Sequence, residues 1–272
     1  MADAEENIEV AAPARAAGWL RANSASLGWW VAGLAMGGLL AVTVLPALRP
    51  AATVPVGDKA ALQKIVRDTI MDNPEIIPQA INRMQEKEVE KLLASNRAAI
   101  ETPFAGAWAG NREGEVVLVE FFDFNCPYCR QSSKDVERLL AEDPGVKLVF
   151  RDMPVLGPDS ERFAMAALSA ARQGKYLPFY RAVFNGQGAL TQDRLIKAVR
   201  AAGLNETKVA ADLNDKELHQ QVEQNLTLAR ALGLTGTPSY VVGNQIFSGA
   251  IGYEALKEAV GKARGDVIKD PA

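Results

Sequence analysis

Cysteine occurs twice in 272 residues, as Cys126 and Cys129. Two thiols separated by two residues can form a reversible disulfide, hold a soft metal ion, or do neither. A chain with no other thiol is not using cysteine as a general staple. Structural zinc needs four ligands, commonly from two such pairs. This chain has one pair and one histidine, so zinc is disfavoured and no metal site is assigned. Copper(I) suits a pair of soft thiolates and stays open at this point, as does an inert pair.

The elements around the pair favour redox chemistry. Val116 to Phe122 is β-branched and aromatic and reads as a buried strand. Gln131 to Leu140 reads as a helix. A Cys-x-x-Cys at a strand-to-helix junction places both sulfurs within one helical turn. The helix N-terminus carries unpaired N–H groups and partial positive charge, which favour a thiolate. Cys126, the outer residue, is assigned the attacking and leaving role. Cys129, one turn deeper, is the resolving thiol. Pro127 suits the first turn because its missing N–H is no loss there. Along the strand, alternation puts Leu118, Glu120 and Phe122 on one face. A carboxylate between two large apolar residues is costly without a partner or a task. Asp123 and Arg151 are given no catalytic weight, and His219 is read as part of a solvated helix face.

Several separate motifs then share one order along the chain: Glu120-Phe121-Phe122-Asp123-Phe124-Asn125-Cys126-Pro127-Tyr128-Cys129, Arg151-Asp152-Met153-Pro154-Val155-Leu156-Gly157, Gln173-Gly174-Lys175-Tyr176 and Leu234-Thr235-Gly236-Thr237-Pro238-Ser239-Tyr240-Val241-Val242-Gly243. From about Phe104 to Lys262 the chain resembles the DsbA family of thioredoxin-fold proteins. The resemblance implies an α/β fold, a thioredoxin fold with a helical insertion. It implies that Cys126 and Cys129 form the redox disulfide. Pro127 and Tyr128 complete that motif, and Pro238 is implied to be a cis-proline offering backbone to an extended substrate. Thr237 is implied to tune the disulfide, and Glu120 to exchange protons with the deeper thiol. The implied activity is thiol–disulfide exchange, as oxidant or isomerase, on exported cysteine-containing proteins. A membrane partner would reset the pair, and no cofactor is expected. Reductase action, copper(I) binding and a purely binding, assembly-factor role remain the alternatives.

The chain ends suggest a location. No charge falls between Arg21 and Arg49, and Leu27 to Leu48 is almost wholly apolar. About 20 such residues span a bilayer core as a helix. Trp29 and Trp30 sit at one edge, where amphipathic rings settle. A cleaved signal peptide is the rival, but its apolar run is ordinarily shorter and no clean small-x-small site follows. The flanking Lys/Arg tally is a tie. A disulfide catalyst belongs in an oxidising compartment, so the catalytic part is expected in the periplasm or an equivalent extracytoplasmic space, held at the inner membrane by one span. A net charge of −3 argues against nucleic acid.

The expected order is therefore a disordered cytoplasmic tail (1–26), a transmembrane anchor (27–48), a linker (49–57), a helical segment (58–101) and the catalytic domain (102–272), with its helical insertion at about 159–232. In the helical segment, Leu62, Ile65, Val66 and Ile70 form one apolar stripe. Asp72-Asn73-Pro74 ends that helix, and Ile77, Ile81, Met84, Val89, Leu92 and Ile100 continue at helical spacing. Asp72-Asn73-Pro74-Glu75-Ile76-Ile77 also resembles the N-terminal region of the suppressor-of-copper-sensitivity C (ScsC) proteins, DsbA-like proteins that can oligomerise through this part. A homo-oligomer is expected. In the insertion, Ser160 is expected to cap a helix, a second helix runs near Thr191 to Ala202, and a third from about Leu218 to Leu232. Gly243-Asn244 is expected to turn a hairpin.

Overall fold

A computed structural model describes residues 59–269. The expected tail, anchor and linker lie outside the described residues. Among the described residues no helix is long and apolar enough to cross a membrane.

The chain divides after Asp72 into two units. In the first, α1 (Lys59–Asp72) is a single helix that buries none of its residues. Its stripe is exposed, with Leu62, Ile65 and Val66 all open to solvent.

The second unit begins with α2 (Ile76–Glu101). It then runs through β1 (Trp108–Gly110), β2 (Val116–Phe122), α3 (Pro127–Glu142) and β3 (Val146–Asp152). The helices α4 (Pro158–Arg172), α5 (Tyr176–Asn185), α6 (Gln192–Ala201), α7 (Glu206–Asp212) and α8 (Lys216–Ala231) follow. The hairpin β4 (Ser239–Val242) and β5 (Gln245–Ser248) and the helix α9 (Tyr253–Lys269) close the unit.

The five strands lie in the order β1-β3-β2-β4-β5. The β2–β3 pair is parallel, joined by the crossover helix α3, and the other pairs are antiparallel. The period-two alternation of β2 divides the core between two faces. Leu118 and Phe122 pack with Leu148, Phe150, Tyr180, Tyr240 and Leu256 on the face covered by α3, α9 and the insertion. Val119 and Phe121 pack with Leu93, Ile100, Val149 and Ala229 on the face covered by α2 and α8.

Helix α2 is therefore two things in sequence. Its first half exposes Ile77, Ile81 and Met84. Its second half buries Leu93 and Ile100 against the sheet. Two arginines fasten that second half. Arg97 reaches Asn244 Oδ1 at 2.6 Å, across to the β-hairpin. Arg151, buried on β3, donates to the carbonyls of Ala99, Ile100 and Thr102 at the end of α2, and to Asn225 Oδ1 on α8. A cation at a helix C-terminus meets unpaired carbonyls and the negative end of the dipole. Burial holds this guanidinium down at about 10. Arg151→Met should cost about 2–4 kcal/mol, because it leaves those buried carbonyls without donors. A urea-unfolding midpoint equal to wild type would refute the clamp.

One local expectation needs correction. Ser160 does not cap α4: Gly157, at φ 110°, occupies the N-cap position, and the Ser160 hydroxyl is buried without a partner. The helix start was displaced because Pro158 fits the first turn. The helices α5 and α7 and the strand β1 were not singled out in the sequence, being short and set by tertiary packing. The cysteine helix starts at Pro127, as the fit of that proline to a first turn predicts. Thr191 does cap its helix, accepting from Arg194 N, and the hairpin turns at Gly243, whose φ of +56° favours glycine.

Candidate active site

The cysteine pair sits where β2 hands over to α3. Phe122, the last residue of the strand, and Phe124, two residues on, lie inside an aromatic cluster with Phe150, Tyr180 and Phe184. Edge-to-face pairs of this kind each add about 0.5–1.5 kcal/mol beyond area burial. Between the two phenylalanines, Asp123 is buried and accepts three backbone N–H groups: Asn125 at 2.7 Å, and Val155 and Leu156 at 2.9 Å each. It ties the turn carrying the cysteines to the loop after β3. That is a structural role, in keeping with the absence of catalytic weight given to Asp123 from the sequence.

Cys126 is the N-cap residue of α3 and Pro127 its first helical residue. Cys129 lies one turn in. Both are free thiols, the reduced form of the pair. Both are buried: Cys126 is 5% exposed and Cys129 is 0% exposed. The outer thiol is thus less open than its position at the helix start suggests, because the Thr237–Pro238 loop lies over it. The Cys126 thiol donates to the Thr237 carbonyl at 3.2 Å. The Thr237–Pro238 peptide bond is cis. Pro238 is buried, and its carbonyl already accepts from Gly249 N at 2.8 Å. Tyr128 stands out into solvent between the cysteines.

The two thiols are driven in opposite directions. Cys126 is pulled down from 9.0 to about 5. The chief cause is a hydrogen bond from the Cys129 thiol. The Thr237 side chain and the N–H groups of Cys129 and Tyr128 add to it, against the cost of burial. The hydrogen bond from the neighbouring thiol thus lowers it more than either of the backbone N–H groups at the helix start. Cys129 is pushed far up by burial, by donating to Cys126, and by the charge of Glu120.

Glu120 lies beneath the pair, 0% exposed. Tyr180 Oη donates to its Oε2 at 3.1 Å and Tyr240 Oη to its Oε1 at 3.5 Å. Burial raises it to about 8 despite these two donors, and the charge of Asp152 pushes the same way. Asp152 is a second buried carboxylate on the same sheet face. It accepts from Tyr176 Oη at 2.9 Å, and burial raises it to about 7. Tyr176 and Tyr180, one turn apart on α5, thus serve one carboxylate each.

Sequence reasoning brought Cys126, Cys129, Glu120, Thr237 and Pro238 into view, and the structure places all five together. It did not single out Tyr180, Tyr240, Tyr176 or Asp152. The available signal for Tyr240 was its register opposite Glu120 on the neighbouring strand, which needs the β2–β4 pairing first. His219 lies elsewhere, on α8, 3.3 Å from Glu161.

Against this geometry, known proteins fall into place. Residues 117–261 match the DSBA-like thioredoxin domain. Residues 58–91 match the copper resistance protein ScsC N-terminal domain. A thioredoxin-like oxidoreductase from Silicibacter pomeroyi is 38% identical, with a TM-score of 0.60, over 62% of this chain and 98% of its own. A linker-deleted, point-mutated ScsC of Proteus mirabilis is 28% identical, with a TM-score of 0.62, over 80% of this chain and 100% of its own. A probable disulfide bond formation protein D of Bacillus anthracis is 27% identical over 69% of this chain and 87% of its own length. The match to sodium/proton antiporters is partial on their side. NhaA 3 of Salinispora tropica is 30% identical over 56% of this chain, which spans only 24% of the antiporter. The buried thiol pair, the cis-proline loop and the match over more than half its length make this chain a member of the DSBA-like thioredoxin domain family, a family of thiol:disulfide oxidoreductases.

Proposed function

We propose that this protein exchanges disulfides with cysteine-containing client proteins through Cys126 and Cys129, chiefly as an oxidant. The observation that carries the reading is the opposed acidity of the two thiols above a buried carboxylate. In the oxidising direction a client thiolate attacks Sγ of Cys126. The Cys126–Cys129 bond breaks, and the electron pair leaves on Cys129, which takes a proton from Glu120. A second client thiolate then attacks the client sulfur of the mixed disulfide and expels Cys126 as thiolate. The client loses two electrons and the pair gains them. A Cys126 acidity near 5 stabilises the reduced pair, and a stabilised reduced form makes its disulfide the stronger oxidant. A partner must then reoxidise the pair.

Copper(I) on both thiolates is the competing reading, and the ScsC-type N-terminal match gives it an anchor in the family description. Such a site needs both sulfurs ionised. Burial and the nearby Glu120 resist this at Cys129.

The test of the exchange reading is direct. The oxidised protein is mixed with a reduced, unfolded cysteine-containing protein, and loss of free thiols is followed. Stoichiometric thiol loss, absent in Cys126→Ser, is expected. Equal rates in the two proteins would sink the assignment.

The proposal includes place and assembly. The uncharged run from Leu27 to Leu48 supports a single inner-membrane anchor with the catalytic part in the periplasm. The open apolar residues on α1 and on the first half of α2 support self-association. Several catalytic units on one base would hold a client at high effective concentration, which isomerisation requires. The full chain should partition with membranes. A soluble chain starting at Val54 should sediment as an oligomer that reshuffles scrambled disulfides. One starting at Thr102 should be a monomer that retains dithiol oxidation alone. A monomeric longer chain would remove the support for isomerase action.

A further inference from the structure

Beside the cysteine pair, away from the Thr237–Pro238 loop, a cavity of about 470 Å³ opens between α3 and the loop that follows α5. On α3 its wall is Pro127, Arg130, Gln131 and Lys134. These positions fall on one side of the helix, and the first of them directly follows Cys126. The opposite wall is the loop from Asn185 to Gly188.

Two cations, Arg130 and Lys134, line the cavity, and a third, Arg194, is bonded to the carbonyls of its loop wall; none has an acidic partner among the described residues. The Arg130 guanidinium donates from Nη1 to the carbonyls of Phe184, at 2.5 Å, and Gly186. Its Nε and Nη2 make no hydrogen bond to the described residues, and the guanidinium also lies over the Phe184 ring, 6.0 Å from its centroid. Arg194 approaches the same loop from α6, giving Nη2 to Val183 O at 2.6 Å and Gly186 O at 3.0 Å, and Nη1 to Gly188 O. It is 8% exposed, and its Nε is buried without any partner. Lys134 is exposed at the rim. Glu137 pairs with Arg181, and Asp193 with Lys197. Carbonyl oxygens shape the loop around the guanidiniums but cancel no charge. Burial and the charge of Arg130 both act to lower the pKa of Arg194, as expected for a cation without a counter-ion.

We propose that this cavity is a client subsite for a carboxylate, the side chain of an Asp or Glu close in sequence to the client cysteine. The proposal rests on the exchange reading above and names what that site prefers. An extended client advances about 3.3 Å per residue. With its cysteine sulfur on Cys126, a residue two or three positions away reaches past Pro127 to Arg130 and Lys134. Arginine offers a carboxylate a planar fork of donors, and Lys134 adds charge at the entrance. The Arg130–Arg194 pair holds the loop open as a preformed wall. The expected client is therefore an acidic unfolded segment.

The experiment uses three single-cysteine peptides that differ only in carrying Glu, Gln or Lys two residues after the cysteine. Reduction of the Cys126–Cys129 disulfide, with release of the peptide as its disulfide dimer, is followed for each. The Glu peptide should react about 10-fold faster than the Lys peptide in low salt, the scale of one charge-assisted hydrogen bond. That ratio should shrink toward unity in molar salt, where screening is short-ranged. In Lys134→Glu, an exposed change that leaves the loop clamp in place, the ratio should fall or invert. Equal rates for all three peptides in wild type would overturn the subsite while leaving the exchange reading standing. A ratio untouched by salt or by Lys134→Glu would also overturn it. No reaction with any peptide, the Gln form included, would overturn the exchange reading itself.

Discussion

Cys129→Ala should have two effects on Cys126 that a simple loss of activity would not reveal. In the reduced wild-type protein, alkylation of Cys126 should follow a titration centred near pH 5, and Cys129 should resist labelling throughout. In Cys129→Ala that midpoint should rise, because the Cys129 thiol is the largest single source of the Cys126 acidity. It should stay below the ordinary 9.0, because the Thr237 side chain and the backbone N–H groups at the helix start remain. A thiolate that is mostly ionised at neutral pH keeps its reactivity, so the variant should still attack clients. It cannot resolve what it forms. Turnover should fall by about 10³-fold or more as mixed disulfides accumulate, since a nucleophile and its resolving partner act as one unit. Equal labelling of the two cysteines, with ordinary acidities, would defeat the assignment. An unmoved midpoint in Cys129→Ala would instead return the credit to the helix terminus alone.

Glu120→Gln should separate a proton-transfer role from a packing role. The carboxyl is held near 8, so at pH 7 it is mostly protonated and able to give a proton to Cys129 as that sulfur leaves. The glutamine keeps the shape and loses the proton. The leaving step should slow by about 10²-fold below pH 8, the lower end of general acid catalysis. Above pH 8 the wild type ionises at Glu120 and its advantage should vanish. Wild-type and variant profiles that superimpose would reduce Glu120 to a packing residue. The same group predicts stability. Its folded pKa lies above the ordinary 4.5, so the favourable contribution is complete below pH 4.5 and is lost as pH rises through 8. Asp152, held near 7, acts in the same sense. Glu120→Gln should therefore match wild type near pH 4 and exceed it at pH 8 by a few kcal/mol, on the order set by a shift of several units. Thermal unfolding across that range reads it out.

These two effects divide what could be read from the chain alone from what could not. The redox pair was legible because thiols are scarce and the motif is local: Cys126 and Cys129 fall within one helical turn, at the end of a strand whose period-two pattern is plain. The same pattern exposed Glu120 as a carboxylate on an apolar face. The stripe on α1 and the early part of α2 was legible for the same reason, since helical spacing is a short-range signal. What covers each face was not. Val89, Leu92 and Ile100 continue the α2 stripe without a break, yet only this second half finds the sheet, because Arg151 on β3 and the hairpin lie within its reach. The partners of Glu120 come from 60 and 120 residues away, on α5 and β4. The Thr237 loop that covers Cys126 comes from 111 residues away. Sequence by itself determined which residues carry reactive chemistry and which elements present them. Only tertiary structure decided their acidities, because those depend on burial and on donors delivered by other elements. The cationic cavity belongs to the same class: Arg130, Lys134 and Arg194 are unremarkable charges along the chain, and become a site only where α3 and α6 meet the loop around Gly186.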